Sequence, residues 1–284
     1  GGTTRNKTVT AAGTYTVTAT DANNCSATAT VTILQPTQLS ASLATTNVSC
    51  FGGNNGTATV TANGGTTPYS YTWSRGTGTG NTVNNLIAGS ITVTVTDDNG
   101  CTTTATATIT DPTQLTATAT STPVSCFGGN NGSVSVNATG GTGTHTYQWS
   151  SNAGSAVTQT VTGLVAGTYT VTVRDANQCS VVSSVQITQP TQLVASAVAT
   201  AQAGCTTATG AATASATGGT SPYQYLWSAN ANSAITPSVF NLAAGTYTVT
   251  ITDLNGCTAS ATVAIGGSTV ALNLTTVLTH VSCF

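Results

Sequence analysis

Apolar and polar residues alternate along most of the chain with a period of two. In the stretch Leu242–Cys257 (LAAGTYTVTITDLNGC), Tyr247, Val249 and Ile251 share one face, and threonines occupy the positions between them. This alternation is typical of a half-buried β-strand, and it recurs between turn signals throughout the sequence. No apolar pattern with a period of 3.6 residues continues for more than one turn. The sequence therefore predicts an all-β protein with essentially no helix.

The alternating stretch belongs to a long internal repeat. Near copies of it lie at residues 11–25, 86–101 and 164–179. One series of cysteines falls at positions 25, 101, 179 and 257, and a second at 50, 126, 205 and 283. Both series give a period of about 78 residues, which suits a small all-β domain better than a solenoid or propeller unit.

Short proline-containing junctions separate the repeats: QPTQL at 35–39 and 189–193, and DPTQL at 111–115. Proline fixes φ and lacks an N–H, so it suits the end of one sheet and the start of the next. The first repeat begins midway and the chain has no methionine, so we expect a segment of a longer protein. The predicted domains are the C-terminal part of a repeat at 1–35, full repeats at 36–112, 113–190 and 191–267, and the first strand of a further repeat at 268–284.

Period-two alternation predicts the strands of the repeat 36–112. They are Leu39–Val48, Thr57–Ala62, a strand with Tyr69, Tyr71 and Trp73 on one face, a short strand ending at Leu86, a strand with Ile91, Val93 and Val95 inward, and one with Ala105, Ala107 and Ile109 inward. About seven short antiparallel strands with turns every 8–12 residues are typical of a Greek-key sandwich. We therefore predict tandem immunoglobulin-like or PKD-like β-sandwich domains, arranged head to tail.

Aromatic residues mark the predicted core. A tryptophan on the third strand occupies the central position of such sandwiches, and the motif Leu-x-x-Gly-x-Tyr matches a tyrosine corner, whose hydroxyl bonds back to the backbone. In the repeat 36–112, Ile91 replaces the tyrosine, so that corner is expected to lack its hydrogen bond. The predicted core aromatics are Trp73, Trp149, Trp227, Tyr169 and Tyr247.

Composition narrows the class of protein. Charged residues make up 4% of the chain and the net charge is −2, which excludes the basic surface that nucleic acid binding needs. Threonine forms roughly a quarter of the residues and favours strands. No apolar run is long enough to cross a membrane. Eight regularly spaced cysteines in such a chain predict an oxidising, extracellular setting.

The residues give no support for catalysis or a cofactor. The two histidines, His145 and His280, lie in different repeats with no counterpart in the others. The only adjacent acids, Asp97 and Asp98, lie on a turn rather than flanking a cleft as a glycosidase pair would. Neither a CxxC nor an HxxxH spacing is present for zinc. We predict that the chain is not an enzyme.

The recurring turn acids admit two interpretations. Asp97, Asp98, Asp175 and Asp253 stand where strand-end carboxylates and amides can bind Ca²⁺, which makes them weak calcium candidates. Alternatively, each recurring Asp accepts hydrogen bonds from its own backbone in an Asx-type turn. One carboxylate per turn supplies few oxygen ligands for calcium, so we favour the interpretation as an Asx-type turn.

Aromatic residues of the third strand also admit two interpretations. Tyr69, Tyr71 and Trp73 share a face that could stack on a sugar ring. A sandwich needs that face for its core, and the core interpretation is therefore preferred. Tyr69 and its counterpart Tyr223, nearest the strand end, are the best candidates for exposed platforms.

The motifs together resemble a known family. VSCFGGNNG (48–56), GGTTPYSYTW (64–73), LAAGTYTVT (242–250) and TDLNGC (252–257) follow one another as in the SprB-type repeats of gliding-motility adhesins of Bacteroidetes. The resemblance implies surface proteins exported by the type IX secretion system, and a stalk of tandem domains on a long filament. The repeat 193–265 departs from the pattern, because CTTATG (205–210) replaces CFGGNNG and shortens that loop by one residue.

Two pairings are open to the cysteines. In an immunoglobulin-type sandwich, the loop between the last two strands and the loop between the first two lie at opposite ends, about 20 Å apart. Bridged Cα atoms lie within about 7 Å of each other, which disfavours pairing inside a repeat. Head-to-tail stacking instead predicts the inter-domain disulfides Cys50–Cys179 and Cys126–Cys257, with the other cysteines bonding to repeats outside this segment. The within-repeat alternative is Cys50–Cys101, Cys126–Cys179 and Cys205–Cys257.

Three functions follow from these interpretations. The first is a structural stalk segment of a long, secreted cell-surface adhesin, attached to the cell and acting in adhesion and gliding motility. The second is a carbohydrate-binding array, whose partners are surface glycans. The third is a subunit that assembles with other filament chains by strand donation. Residues 1–35 and 269–284 together lack the second and third strands of a repeat, so one chain end cannot complete the other. The preferred partners are neighbouring repeats of the same chain.

Overall fold

The computed structural model describes residues 6–267, which form β-strands joined by tight turns and two single-turn 3-10 helices at Ser151–Ala153 and Ala229–Ala231. In chain order the strands are β1 (Gly13–Thr20), β2 (Ser26–Ile33), β3 (Ser40–Thr46), β4 (Gly56–Asn63), β5 (Ser70–Trp73), β6 (Thr82–Leu86), β7 (Gly89–Thr96), β8 (Thr102–Ile109), β9 (Thr116–Thr122), β10 (Gly132–Thr139), β11 (Thr146–Trp149), β12 (Thr160–Leu164), β13 (Gly167–Arg174), β14 (Ser180–Ile187), β15 (Val194–Ala201), β16 (Gly210–Thr217), β17 (Gln224–Trp227), β18 (Ser238–Leu242), β19 (Gly245–Thr252) and β20 (Thr258–Ile265). Neither helix of this part of the chain has the length or apolar character to span a bilayer. The first strand expected in 268–284 lies outside the described residues.

Two compact units make up the chain. The first contains residues up to 115 together with the loops 139–144 and 175–179, and the second contains 116–138, 145–174 and the residues from 180 onward. In the first unit, β1 pairs with β2, and two three-stranded antiparallel sheets have the orders β3-β4-β6 and β5-β7-β8. The second unit holds four three-stranded sheets, ordered β12-β10-β9, β11-β13-β14, β15-β16-β18 and β17-β19-β20.

Each full repeat therefore has six strands, where the sequence predicted about seven. The sheet orders are those of an immunoglobulin sandwich without the fourth strand, because an irregular segment follows the tryptophan strand instead. Strand boundaries shift by one or two residues from the alternation pattern: Leu39–Val48 becomes Ser40–Thr46, and Thr57–Ala62 becomes Gly56–Asn63. The fold class, tandem all-β sandwiches, is the predicted one.

The inward faces of the strands form the core. In the repeat 36–112, Val60, Val93 and Val95 form one cluster of fully buried side chains, with Tyr69 and Tyr71 packed against it. The outward faces are lined by hydroxyls that bond across the strands, as between Thr92 and Thr106, whose Oγ1 atoms lie 3.0 Å apart, and between Thr46 and Thr57 at 2.7 Å. A chain with few charges thus presents threonine hydroxyls to solvent.

The tryptophans occupy equivalent positions, but one of them is less covered. Trp149 and Trp227 are buried, whereas Trp73 is half-buried. In the last repeat, Ala231 of the 3-10 helix packs into the same buried cluster as Trp227. The segment after Trp73 (SRGTGTGN) forms no such helix. Each indole N–H still donates to a backbone carbonyl of the following segment: Gly80, Thr158 and Thr236, each at 3.0 Å.

Tyrosine corners are present where the motif placed them. The hydroxyls of Tyr169 and Tyr247 donate to the carbonyl oxygens of Val165 and Ala243 at 2.9 and 3.0 Å, and Tyr15 makes the same bond to Ala11 at 2.8 Å.

The corner that lacks a tyrosine keeps a hydrogen bond at the same carbonyl. Ile91 is fully buried, and the guanidinium of Arg75 donates to the carbonyl oxygen of Ile87 at 3.4 Å and to that of Ala88 at 3.3 Å. Ile87 stands where Val165 and Ala243 stand in the other repeats. The tyrosine hydrogen bond is absent here, as expected, and a side chain from another segment supplies a donor in its place.

Candidate functional site

Two disulfides connect neighbouring repeats. Cys50 is bonded to Cys179 within the first unit, and Cys126 to Cys257 within the second, each with a Cα–Cα distance of 5.7 Å. In both, the cysteine after the first strand of one repeat meets the cysteine before the last strand of the next. The alternative pairs Cys50–Cys101, Cys126–Cys179 and Cys205–Cys257 are not formed, because the bonds join loops of different repeats.

The first half of each joint is a loop held by an asparagine. The side chain of Asn55 accepts the backbone N–H of Ser49 at 2.9 Å and donates to the Ser49 hydroxyl at 2.7 Å. Asn131 makes the same two bonds to Ser125, at 2.9 and 2.7 Å. These bonds fix the residue next to the bonded cysteine, since Ser49 precedes Cys50 and Ser125 precedes Cys126.

The second half of each joint is a turn organised by a buried aspartate. Asp253 Oδ1 accepts the backbone N–H groups of Asn255 and Cys257, both at 2.9 Å, and its Oδ2 accepts the N–H of Thr220 at 2.9 Å. Asp175 binds the N–H groups of Cys179 and Thr142 in the same way, at 2.9 Å each. The carboxylate thereby sets the position of the cysteine four residues later.

Hydrogen bonding also favours the charged form of Asp253 and of Asp97, its counterpart in the repeat 36–112. The N–H of Thr66, with those of Cys101 and Asn99, holds the pKa of Asp97 below its usual value of 3.8, although burial opposes this. For Asp253, burial raises the pKa, but N–H groups of Thr220 and its own turn outweigh burial and leave the pKa lowered.

The aspartate turn also reaches the neighbouring repeat through its asparagine. The Nδ2 of Asn177 donates to the carbonyl oxygen of Ser49 at 3.0 Å, and that of Asn255 donates to Ser125 O at 3.0 Å. Each acceptor is the carbonyl next to the disulfide-bonded cysteine. A hydrogen bond and a covalent bond therefore join the same loop and turn.

The junction peptide is anchored at both of its ends. In the first unit, Gly52 N–H donates to Asp111 Oδ1 at 3.2 Å, and Gly141 N–H donates to the carbonyl oxygen of Thr113 at 2.9 Å. In the second unit, the corresponding bonds run from Gly128 to Gln189 Oε1 and from Gly219 to Thr191 O, both at 2.9 Å. The residues flanking the junction proline are thus bonded to the repeat on either side.

Paired glycines make room for the junction and the carboxylate. Gly218 and Gly219 have φ of +71° and +59°; a Cβ at Gly218 would overlap the carbonyl of Gln192, and one at Gly219 would lie 2.8 Å from Asp253 Oδ2. Only glycine combines this backbone with such close approach.

The other described cysteines lie in counterparts of the aspartate turn or of the asparagine-held loop. Cys25 and Cys101 are exposed thiols, and their N–H groups donate to Asp21 and Asp97 at 2.9 and 2.8 Å. Cys205 lies outside the two disulfides, in the shortened loop where Gly204 N–H donates to Thr209 Oγ1 at 3.0 Å. The shorter loop thus replaces the asparagine bond with a threonine bond.

The aspartates that were weak candidates for binding calcium accept hydrogen bonds from backbone N–H groups. Both oxygens of Asp97, Asp175 and Asp253 accept N–H groups, the arrangement of an Asx-type turn, and Asp98 is exposed beside Asp97. Among residues 6–267, no group of three or more Asp, Glu, His or Cys side chains is placed to hold a metal ion.

The candidate aromatic platforms pack against the sandwich. Tyr69 and Tyr223 are half-buried, and their hydroxyls donate to the carbonyl oxygens of Gly64 and Gly218 at 2.6 and 2.7 Å. His145, in the corresponding position of the middle repeat, is also half-buried. His280 lies outside the described residues. The face therefore serves the core, with the ring edges reaching the glycine turn.

Sequence reasoning missed the asparagines that complete the joints. Asn55 and Asn131 end the NN pairs of the CFGGNNG loops, and Asn177 and Asn255 stand two residues after the turn aspartates. Their recurrence in register with the cysteines was a usable signal. The acceptors of Asn177 and Asn255 lie in a different repeat, so the signal named the residues but not their partners.

The family model of the SprB repeat matches residues 42–78, 118–154 and 197–232. The first half of each full repeat is thus similar to the SprB repeat. Each match covers the strands and loops from the first strand through the tryptophan strand, including the cysteine loop of the joint. No curated protein matches the sequence significantly.

Two solved structures of tandem domains are similar to this chain at low sequence identity. The N-terminal eight Ig domains of the Down Syndrome Cell Adhesion Molecule match with 11% identity over 90% of this chain and 38% of that one, at a TM-score of 0.33. A tetra-tandem repeat from the extending region of a large adhesion protein matches with 15% identity over 88% of this chain and 79% of that one, at 0.29. This chain thus spans well under half the length of the first.

Proposed function

We propose that this chain is a stalk segment of a secreted, cell-surface repeat adhesin, exported by the type IX secretion system and acting in gliding motility. The observation that carries the proposal is the joint: a disulfide, an asparagine bond and an anchored junction peptide recur at both joints between bridged SprB repeats. Joints of this kind hold neighbouring domains of one chain together.

The surface chemistry supports an extracellular setting. Disulfides persist in oxidising compartments, and the outward faces carry threonine hydroxyls instead of charges. Neighbouring repeats of the same chain are the partners on this proposal, with surface glycans or other filament chains as further candidates at regions beyond the joints.

Surface display is tested on cells that carry the native gene. Antibody raised against residues 36–267 should label intact cells, and deletion of the gene should abolish both the label and spreading on agar. Labelling only after lysis would contradict export. Surface labelling with unchanged spreading and attachment would contradict the adhesin role.

The carbohydrate-binding alternative is tested separately with the purified chain on a glycan array. A stalk segment should give no signal above a Tyr69→Ala, Tyr223→Ala variant. Specific binding that this variant loses would favour the carbohydrate-binding function instead.

A further inference from the structure

The joint disulfides change which parts of the chain bear tension. Cys50–Cys179 and Cys126–Cys257 interleave along the sequence, because Cys126 lies between the two cysteines of the first bond. A short stretch of chain crosses each junction. It begins at the cysteine before the last strand of one repeat and ends at the cysteine after the first strand of the next. Such stretches run from Cys101 to Cys126 and from Cys179 to Cys205. Force therefore has a shorter covalent route than the backbone.

Each route consists of two strands and a junction peptide. From Cys179 it follows β14, the junction and β15 to Cys205, and these two strands of 8 residues each are already extended. From Cys101 it follows β8, the junction and β9 to Cys126, where the Cys126–Cys257 disulfide continues it to the next repeat. Strands are near their maximum length of about 3.4 Å per residue, which leaves little slack.

The remaining part of each repeat is bypassed. In the middle repeat, the segment 126–179 connects one route to the other and contains β10 to β13 with the core residues Trp149 and Tyr169. This segment is not in series with the load when both of its cysteines are bonded.

Resting on the proposed stalk function, we propose that this protein is a double tether, in which the junction peptide and the disulfide share tension at each joint. We consider an array in which every cysteine is paired. There the covalent route crosses two repeats through one strand–junction–strand stretch followed by one disulfide. The longest extension is then about 45 Å per repeat, against about 270 Å for an unbridged repeat of about 78 residues, roughly a sixfold difference.

The experiment is single-molecule stretching of this chain between two defined points. The exposed thiol of Cys101 provides one handle, with Cys25, Cys205 and Cys283 replaced by serine, and a tag after Phe284 provides the other. Through Cys126–Cys257 the covalent path between the handles covers only 101–126 and 257–284, whereas the backbone path covers all of 101–284. Maximum extension should be about 180 Å without reductant and about 640 Å with it.

Two variants separate the routes. Cys50→Ser with Cys179→Ser should leave the extension at about 180 Å, because that disulfide lies off this route. Cys126→Ser with Cys257→Ser should lengthen it to about 550 Å, the shortest path that remains through Cys50–Cys179. Because covalent connectivity alone sets this maximum, the result holds for every molecule in which the remaining disulfide has formed.

An unreduced chain that extends to the full backbone length would overturn the proposal, and so would equal extensions for the two double variants. Neither result bears on whether the protein is displayed on cells, so a failed double tether is distinguishable from a failed surface function.

Discussion

Arg75 shows at the scale of a residue how repeats of unequal sequence keep the same contacts. In the repeat that has lost its corner tyrosine, the guanidinium of Arg75 bonds the carbonyl oxygens of Ile87 and Ala88. Tyr169 and Tyr247 bond the carbonyls equivalent to that of Ile87 with their hydroxyls. The loss of Tyr was visible in the sequence; its replacement was not, because nothing in the glycine-rich segment around Arg75 indicates which carbonyl the side chain reaches.

Arg75→Ala should weaken this corner by about 1 kcal/mol, the usual net contribution of such hydrogen bonds. Hydrogen exchange of the amides in Gly89–Thr96 measures the local opening free energy. The matched variant Arg75→Lys keeps the charge but has no planar fork for two carbonyls, so it should behave like the alanine variant. Wild-type protection in Arg75→Lys would show that charge, and not the carbonyl bonds, is responsible.

Asp97 and Asp253 are expected to make stability depend on pH. The pKa values of Asp97 and Asp253 are lowered in the folded chain, so between the folded and unfolded pKa values the unfolded chain binds more protons. Their stabilising contribution is complete above about pH 5 and is lost as the pH falls through the folded pKa.

The free energy of unfolding, measured in urea between about pH 2 and pH 6, should therefore fall with decreasing pH below about 4. Asp97→Asn and Asp253→Asn should each be less stable at the upper end of this range and show a shallower fall. A slope that both variants leave unchanged would show that other groups cause the acid sensitivity.

At the scale of elements, alternation predicted the strands of the full repeats because one face of such a strand packs on the core and the other carries polar residues, mostly threonine. It placed the end of Thr82–Leu86 correctly, and missed the ends of strands such as Ser40–Thr46 by one or two residues. The inter-repeat cysteine pairs followed from the same topology, since loops at opposite ends of a sandwich cannot meet. The asparagines and Arg75 act between segments distant in sequence, which alternation does not report.

The glycine pair between the second and third strands is the element that seats the junction peptide. Gly218→Ala should cost roughly 3 kcal/mol, because a Cβ there combines a left-handed backbone with overlap of the Gln192 carbonyl. Gly256→Ala is the matched control: its φ of +82° is similarly left-handed, but no atom lies within 4 Å of the added Cβ. That control should cost roughly 1 kcal/mol.

Hydrogen exchange of the Gly219, Thr220 and Cys257 amides would measure the loss of local stability in both variants. Equal costs would show that backbone conformation alone matters and that the junction contact contributes nothing.

At the scale of the whole molecule, the joint between repeats recurs together with the sandwich domain. The loop carrying Cys50 and the turn carrying Cys179 are each ordered by hydrogen bonds within their own repeat, through Asn55 and Asp175. Preordered partners lower the entropy that the disulfide must fix on closing. Each bond in turn closes a long loop, with a sequence separation of 129 or 131, for which loss of entropy in the unfolded chain predicts several kcal/mol of stabilisation.

The pairing of the cysteines is the central claim, and digestion of the unreduced protein with a protease that cleaves before aspartate tests it most directly. Cleavage at the six aspartates gives different linked fragments for the inter-domain and the within-repeat pairings. The fragment 21–96 should be linked to 175–252, and 111–174 to 253–284, with both links lost on reduction. A link between 21–96 and 98–110, which only Cys101 can make from the second fragment, would contradict the account.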